Sequence, residues 1–185
     1  MRVNIFGRGI DRMPDLAFRI MALMFKIGDI FIQKDKILDE FGISRGQSAV
    51  DYGCGPGSYI RKASELVGTG GRVYAIDIHE LAIEYVKKRI SKENLHNVTA
   101  LVVSKERYPL NDNSIDLIYA LDMFHMVANP IIFLKELNRI SKPDGILFID
   151  NGHQKRDRAK TKITSSGTWE ITKETQRYMK CRPIK

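Results

Sequence analysis

Apolar residues along this chain alternate between two spacings. Short apolar runs at residues 49–52, 72–77, 99–103, 114–121 and 146–149 read as strands. Within 72–77, Val73 and Ala75 fall on one side and Tyr74 and Ile76 on the other. Between these runs, residues 59–67, 80–92 and 131–140 carry helical spacing. Gly68, Gly70 and Gly71 end the first of these helices, and Pro143, Asp144 and Gly145 form a turn into the fifth strand. Such repeated crossovers predict a parallel sheet with helices on both faces.

The flanks differ from this middle. Asp11 is a candidate cap and Pro14 suits a first helical turn. Leu16, Ile20, Leu23, Ile27 and Ile30 then recur at helical spacing, which predicts an amphipathic helix over 13–31. Its apolar stripe suits core packing, a cover over a substrate or attachment to a membrane surface. Arg19, Lys26 and Asp29 interrupt the stretch, so no integral membrane segment is expected. Residues 34–41 read as a short helix stopped by Gly42 and then Gly46. Beyond His153 a charged helix is expected over 154–163. Gly167 breaks it, and strands at 168–173 and 176–182, joined around Glu174 and Thr175, form an antiparallel hairpin at the sheet edge. Neither a repeat nor a long linker interrupts the chain.

With 185 residues and 43% apolar content, the chain has material for one compact domain. Two segments are expected: an N-terminal helical part over 1–46 as a cover, and a core over 47–185. Two cysteines make no disulfide framework, and four histidines show no metal-ligand spacing. These features and the absence of a signal-peptide pattern fit a reducing cytoplasm. The formal charge of +8 is uneven. Residues 153–185 carry ten Lys/Arg against three Asp/Glu, whereas the rest is close to neutral. A basic tail suits RNA, an anionic membrane or an acidic protein, yet no RNA-binding module or aromatic platform accompanies it.

The informative segment is AVDYGCGPGSYI, where Asp51, Gly53, Gly55 and Gly57 alternate between a strand and a helix. Glycines there let backbone N–H groups approach a ligand. The strand RVYAID ends in Asp77, 20 residues after Gly57, which puts a carboxylate where ribose hydroxyls can donate. A dinucleotide fingerprint would want glycine where Ser58 stands, and Asp51 would oppose a pyrophosphate. No GKS or GKT follows, so a phosphate loop fits less well still. Asp51 suits a ligand carrying an ammonium.

These residues, with GGRVYAIDIHELAIEYVKKRI, NVTALVVSKERYPLNDNSIDLIYALDMFHMVANP and IFLKELNRISKPDGILFID, resemble the class I S-adenosylmethionine-dependent methyltransferases. The likeness covers about residues 48–150 and is nearest to the small-molecule branch that includes quinone-biosynthesis methylases. It implies a Rossmann-like α/β fold, a seven-stranded mostly parallel sheet in the order 3-2-1-4-5-7-6. It also implies S-adenosyl-L-methionine as cofactor and S-adenosyl-L-homocysteine as product. By that resemblance the backbone of Gly53, Cys54, Gly55 and Gly57 would meet the methionine moiety, with Asp51 near its ammonium. Asp77 would accept the ribose hydroxyls, Ile78 would lie on adenine, and the Leu121 carbonyl would sit near the ammonium. Relatives often carry an acidic residue after the third strand. Ser104 and Lys105 stand there here, with Glu106 next, and Ser104 is the candidate acceptor for the adenine amine.

The remaining candidates flank that site. Tyr59 could touch cofactor or acceptor, or simply pack. The Cys54 thiol reads as packing, because no histidine pattern activates it. His125 in LDMFHMV is the candidate catalytic base, against a positioning role in the pocket wall. Asp122 would orient substrate or cap a turn, and His153 shares the same rim. Arg8, with Arg12, would attract an anionic group on a substrate, or stay solvated. The expected activity is direct methyl transfer to a small-molecule acceptor. The alternatives are an RNA methyltransferase and a non-catalytic cofactor-binding protein. A second copy of the chain, as a homodimer, could complete an open pocket.

Overall fold

The computed structural model describes residues 12–31, 34–103 and 108–185. Helix α1 (Asp15–Phe31) and a 3-10 turn (Lys34–Glu40) precede a seven-stranded sheet. Its strands are β1 (Ser48–Tyr52), β2 (Arg72–Asp77), β3 (Val98–Val102), β4 (Ile115–Ala120), β5 (Ser141–Ile149), β6 (Trp169–Glu174) and β7 (Met179–Pro183). Helices α2 (Ile60–Val67), α3 (Glu80–Glu93), α4 (Pro130–Ile140) and α5 (Arg156–Thr164) connect them. The strand order is β3-β2-β1-β4-β5-β7-β6, with β1 to β5 parallel and β7 antiparallel to both neighbours. This is the Rossmann-like α/β architecture expected from the sequence.

Alternation along the strands divides the core in two. Val50, Ile76, Ile118 and Leu147 face α4 and α5 through Leu134, Leu137, Ala159 and Ile163. Ala49, Ala75, Leu117 and Phe148 face α2 and α3 through Ile60, Ala63, Ile83 and Val86, with Leu38 and Phe41 joining them. The helix α4 starts on a side-chain cap. Asn129 accepts from the Ile132 N–H at 3.2 Å, and Pro130 occupies the first turn, where its missing N–H costs nothing.

Three local features depart from the sequence reading. Ser141 already pairs with Ile115, so the segment Pro143, Asp144 and Gly145 is an irregularity inside β5, absorbed between the Ile115 and Leu117 pairings. The hairpin turn is longer and later than expected. The Thr175 hydroxyl accepts from the N–H groups of Arg177 and Tyr178, which holds residues 175–178 out of the ladder.

The third departure concerns α1. Of the stripe singled out by spacing, Leu16, Ile20 and Leu23 point outward, 71%, 54% and 60% exposed, while the side chains of Ile27 and Ile30 lie outside the described residues. The buried face is Phe18 and Ala22, packed on Ala82. Both faces of this helix are apolar, so periodicity alone cannot choose between them. Phe18 decides it by stacking on His79 with ring centroids 4.3 Å apart. The Arg12 guanidinium adds bonds to Glu80 and Asp15, both at 2.9 Å. The candidate cap Asp11 lies outside the described residues. Among the described residues no helix is long and apolar enough to cross a membrane.

The basic C-terminal part is stitched into the domain. Lys160 pairs with Glu174 at 2.6 Å, Arg177 pairs with Glu40, and Arg156 donates to the Gln176 carbonyl at 2.9 Å. Lys162 lies 5.1 Å over the Phe124 ring, and Lys185 donates to the Ser141 carbonyl at 2.6 Å. These five basic side chains are thus engaged by the domain itself.

Another buried charge fixes the chain that returns after β3. Glu136 accepts from the Tyr108 N–H at 2.7 Å and from Arg139 at 2.6 and 2.8 Å, while Arg139 also donates to the Leu110 carbonyl. Glu136→Ala would leave the Tyr108 amide without its acceptor and take from the Arg139 guanidinium its most buried partner, leaving it Asp112 and the Leu110 and Tyr108 carbonyls. Loss of one partner from such a pair costs about 3 kcal/mol, measurable as a lower denaturant midpoint at unchanged slope. A change under roughly 0.5 kcal/mol, the range of ordinary surface substitutions, would show that solvent replaces the carboxylate.

Candidate functional site

The site forms where parallel β1 and β2 end side by side, with Tyr52 opposite Ile76. As the chain leaves β1, the N–H groups of Gly53 and Cys54 both donate to the Ile76 carbonyl, at 2.8 and 3.1 Å. That anchors the turn to the neighbouring strand. Gly53, at φ +72°, has no room for a side chain, because a Cβ would come within 2.7 Å of Met123 Cγ. Gly55, at φ +51°, has nothing within 4 Å of that position. The turn is therefore packed on one side and open on the other.

Asp77 joins the turn to the second strand. Its two carboxylate oxygens accept from the Gly55 N–H at 3.0 Å and the His79 N–H at 2.9 Å. Burial pushes the carboxyl up, and these amides oppose that by favouring the anion. Each oxygen retains acceptor capacity for a ligand.

Asp51 lies beneath the turn and is only 2% exposed. Burial raises its carboxyl to about 8, and repulsion from Asp77 adds to this, while the Tyr119 hydroxyl works in the opposite direction. Its Oδ2 atom has no hydrogen-bond partner among the described residues. The same burial, reinforced by Asp77 and then Asp51, pushes the Cys54 thiol up and disfavours its thiolate.

Above the turn is a cavity of about 680 Å³, within the roughly 300–1,000 Å³ that encloses drug-sized molecules. Gly53, Cys54, Gly55, Tyr59, Asp77, Ile78, Leu121 and Asp122 all line it. Sequence reading thus brought eight candidates to one wall. Asp51 and Gly57 sit behind that lining, Gly57 against Ile60 and Val86. Arg8, Ser104 and Lys105 lie outside the described residues.

His125 and His153 occupy a different position. Their rings meet edge to face at 4.8 Å, and neither lines the cavity. The His125 ring rests on Gly152, where a Cβ would fall 2.2 Å from Nδ1. Burial lowers the His125 pKa, and the nearby His153 adds to that, so the imidazole stays neutral near pH 7. His153 Nε2 lies 3.4 Å from Asp122 Oδ1. Asp150, which sequence reading passed over, ties this rim together by accepting from the N–H groups of Asp122 and Gly152, both at 2.9 Å.

Most of the wall that sequence reading missed is apolar. Phe18, Met21 and Phe25 approach from α1 and Met13 from just before it, Met123, Met126 and Val127 from the loop after β4, and Ile132 and Phe133 from α4. Tyr52 and Tyr108 complete it, with ring centroids 5.2 Å apart. The spacing of apolar residues in α1 leaves core packing, a cover and membrane attachment open, and no local feature marks which apolar side chains will line a cavity.

A doubly wound sheet with an open glycine turn and a strand-end carboxylate at its carboxyl edge defines a Rossmann-like ligand-binding domain. The chain belongs to the Methyltransferase domain family, which it matches over residues 50–149. It is 28% identical over 110 residues to the demethylmenaquinone methyltransferase of Geobacillus stearothermophilus, covering 60% of this chain and 47% of that protein. The chain thus spans about half the length of such relatives. Among solved structures it is similar to a SAM-dependent methyltransferase from Aquifex aeolicus, with TM-score 0.70 and 29% identity over 80% of this chain and 87% of that one. A putative S-adenosyl-L-methionine-dependent methyltransferase from Methanococcus maripaludis shares the fold, with TM-score 0.74 and 17% identity over 95% and 96% of the two chains.

The Asp51 environment has a consequence for stability. Between the ordinary value of 3.8 and about 8, the folded chain keeps a proton on Asp51 that the unfolded chain has released. The folded state is therefore favoured at the acid end of that interval and loses this advantage as pH rises. Asp51→Asn should flatten the pH dependence of the ligand-free protein's melting temperature between pH 5 and 8. At pH 8 the variant should melt several degrees above the parent, at about 2–4 °C per kcal/mol. Parallel melting curves for the two proteins at both pH values would show that Asp51 ionises normally.

Proposed function

We propose that the chain binds S-adenosylmethionine in this cavity and catalyses methyl transfer to a small-molecule acceptor. The observation that carries the reading is the Asp77 carboxylate, held at the cavity floor by the Gly55 and His79 amides beside an open glycine turn. Ribose hydroxyls would donate to Asp77, and Ile78 offers an apolar surface to adenine. The turn's backbone and the Leu121 carbonyl suit the methionine end. The unpartnered Oδ2 of Asp51 fits a nearby ammonium, whose charge would draw the carboxyl back toward its anionic form. Ser104 and Lys105, after β3, remain the proposed adenine-edge residues.

When bound, S-adenosylmethionine supplies a methyl carbon on a cationic sulfur, and displacement leaves the carbon–sulfur electron pair on sulfur as the acceptor atom bonds the methyl. The protein's part is alignment and exclusion of water. Helix α1 serves both by standing over the cavity with Phe18 anchored on His79. Because its ring packs on Gly152 and off the wall, we assign His125 to holding the loop after β4, with Asp122 and His153 completing that rim. A cavity of small-molecule size and basic C-terminal residues engaged within the fold support a small acceptor over RNA. The two buried unpaired thiols, Cys54 and Cys181, support a cytoplasmic setting.

Calorimetric titration with S-adenosylmethionine and incubation with labelled cofactor and a metabolite extract test this. Binding and label transfer are expected. Asp77→Ala should weaken cofactor binding by about 100-fold, since hydrogen bonds to a charged acceptor contribute about 1.5–3 kcal/mol. Unchanged affinity in a folded variant would overturn the ribose assignment.

A further inference from the structure

Two buried side-chain oxygens meet under the glycine turn. Asp51 on β1 and Tyr119 on β4 are partners across the parallel pairing, so their side chains stand side by side on the sheet face that carries α2 and α3. Tyr119 is fully buried and Asp51 nearly so. Neither Asp51 Oδ2 nor the Tyr119 hydroxyl completes a hydrogen bond among the described residues.

We propose that Tyr119 is a positioning residue for Asp51, and that the pair accepts the cofactor's ammonium by releasing a proton from Asp51 to solvent. The inference rests on the S-adenosylmethionine reading and adds to it a residue and a pH dependence. Three observations carry it.

The first is the company Asp51 keeps. Besides Tyr119, the described titratable groups around it are Asp77 at the end of β2, the Cys54 thiol in the turn and Tyr59 just before α2, and none is a cation. The Gly55 and His79 amides satisfy Asp77, whereas Asp51 Oδ2 has no donor among the described residues. Of two neighbouring carboxyls, the less satisfied one keeps its proton, and for Asp51 burial and then Asp77 raise the value to about 8.

The second is the hydroxyl itself. Burial keeps Tyr119 protonated, so it faces Asp51 as a donor and pulls the carboxyl toward its anion. The contact falls short of a hydrogen bond as it stands, and an anionic Asp51 is the stronger acceptor that would draw it in. The third is position. Asp51 comes two residues before the turn whose Gly53 and Cys54 line the cavity, and its charge already acts on the Cys54 thiol. An ammonium seated on that turn acts on Asp51 at short range in a buried setting, where charges are weakly screened. Below about 8 the ligand must displace a proton, so its affinity rises with pH toward that value.

The test uses the full chain with S-adenosylhomocysteine and with 5′-methylthioadenosine, which keeps the nucleoside and lacks the amino-acid end. Calorimetry in buffers of different ionisation enthalpy counts the protons. At pH 7 S-adenosylhomocysteine should release roughly one proton more than methylthioadenosine. Tyr119→Phe should bind S-adenosylhomocysteine about tenfold more weakly at pH 7, the size expected for one hydrogen bond to an anion, and the gap should narrow toward pH 9. Its affinity for methylthioadenosine should stay unchanged. A packing defect would weaken both ligands, or weaken one by the same factor at every pH, and either result would overturn the proposal. An equal proton count for the two ligands on the parent protein, which needs no variant, would overturn it too and leave cofactor binding standing. If the folded parent binds neither nucleoside, the S-adenosylmethionine reading fails and the proposal falls with it.

Discussion

The carboxylate of Asp77 holds together two segments that the chain separates by a helix. One oxygen is satisfied by the glycine turn after β1 and the other by the residue that opens α3. This pairing is available only because β1 and β2 are adjacent and parallel, so that both strands finish at the same edge. The turn is fixed a second time by the Ile76 carbonyl, which accepts from Gly53 and Cys54. A ligand meeting the open side at Gly55 thus encounters a rigid surface whose main anion is already oriented, which lowers the ordering cost of binding.

The same edge gathers charge that the fold leaves only partly compensated. Asp51, Asp77 and Asp150 all have carboxyls pushed up by burial, and two of them are offset by backbone amides. Asp51 has no such amides, and one of its oxygens is left unpartnered among the described residues. A buried polar group in that condition is costly to folding and points to a ligand that completes it.

Helix α1 lines the cavity through Phe18, Met21 and Phe25. It is fastened at its start by Arg12 and Phe18 to the beginning of α3, next to the Asp77–His79 hydrogen bond. Helix α1 and the hydrogen bonds of Asp77 therefore share one anchoring region. Farther away, Asp150 joins the loops after β4 and β5 through two amides and sets where Asp122 and His125 can go. Gly152 completes that arrangement by leaving space for the His125 ring.

Alternating strands and helices, the glycine turn and the acidic end of β2 were legible in the sequence, because each has a local cause. Period-two and period-3.6 patterns follow from backbone geometry, and a turn that must meet a ligand needs glycine whatever surrounds it. Resemblance to a known family supplied the strand order, which no local pattern carries. Tertiary structure alone decided which apolar face of α1 is buried, since Phe18 needed His79 and Ala82 to distinguish it from Leu16 and Ile20. It alone moved His125 off the cavity wall, turned the Pro143–Gly145 segment into an irregularity within β5, and set Met21 and Met126 along a cavity although spacing singled out neither. Those outcomes depend on contacts between residues far apart in the chain, and local spacing holds no information about a partner that only folding brings near.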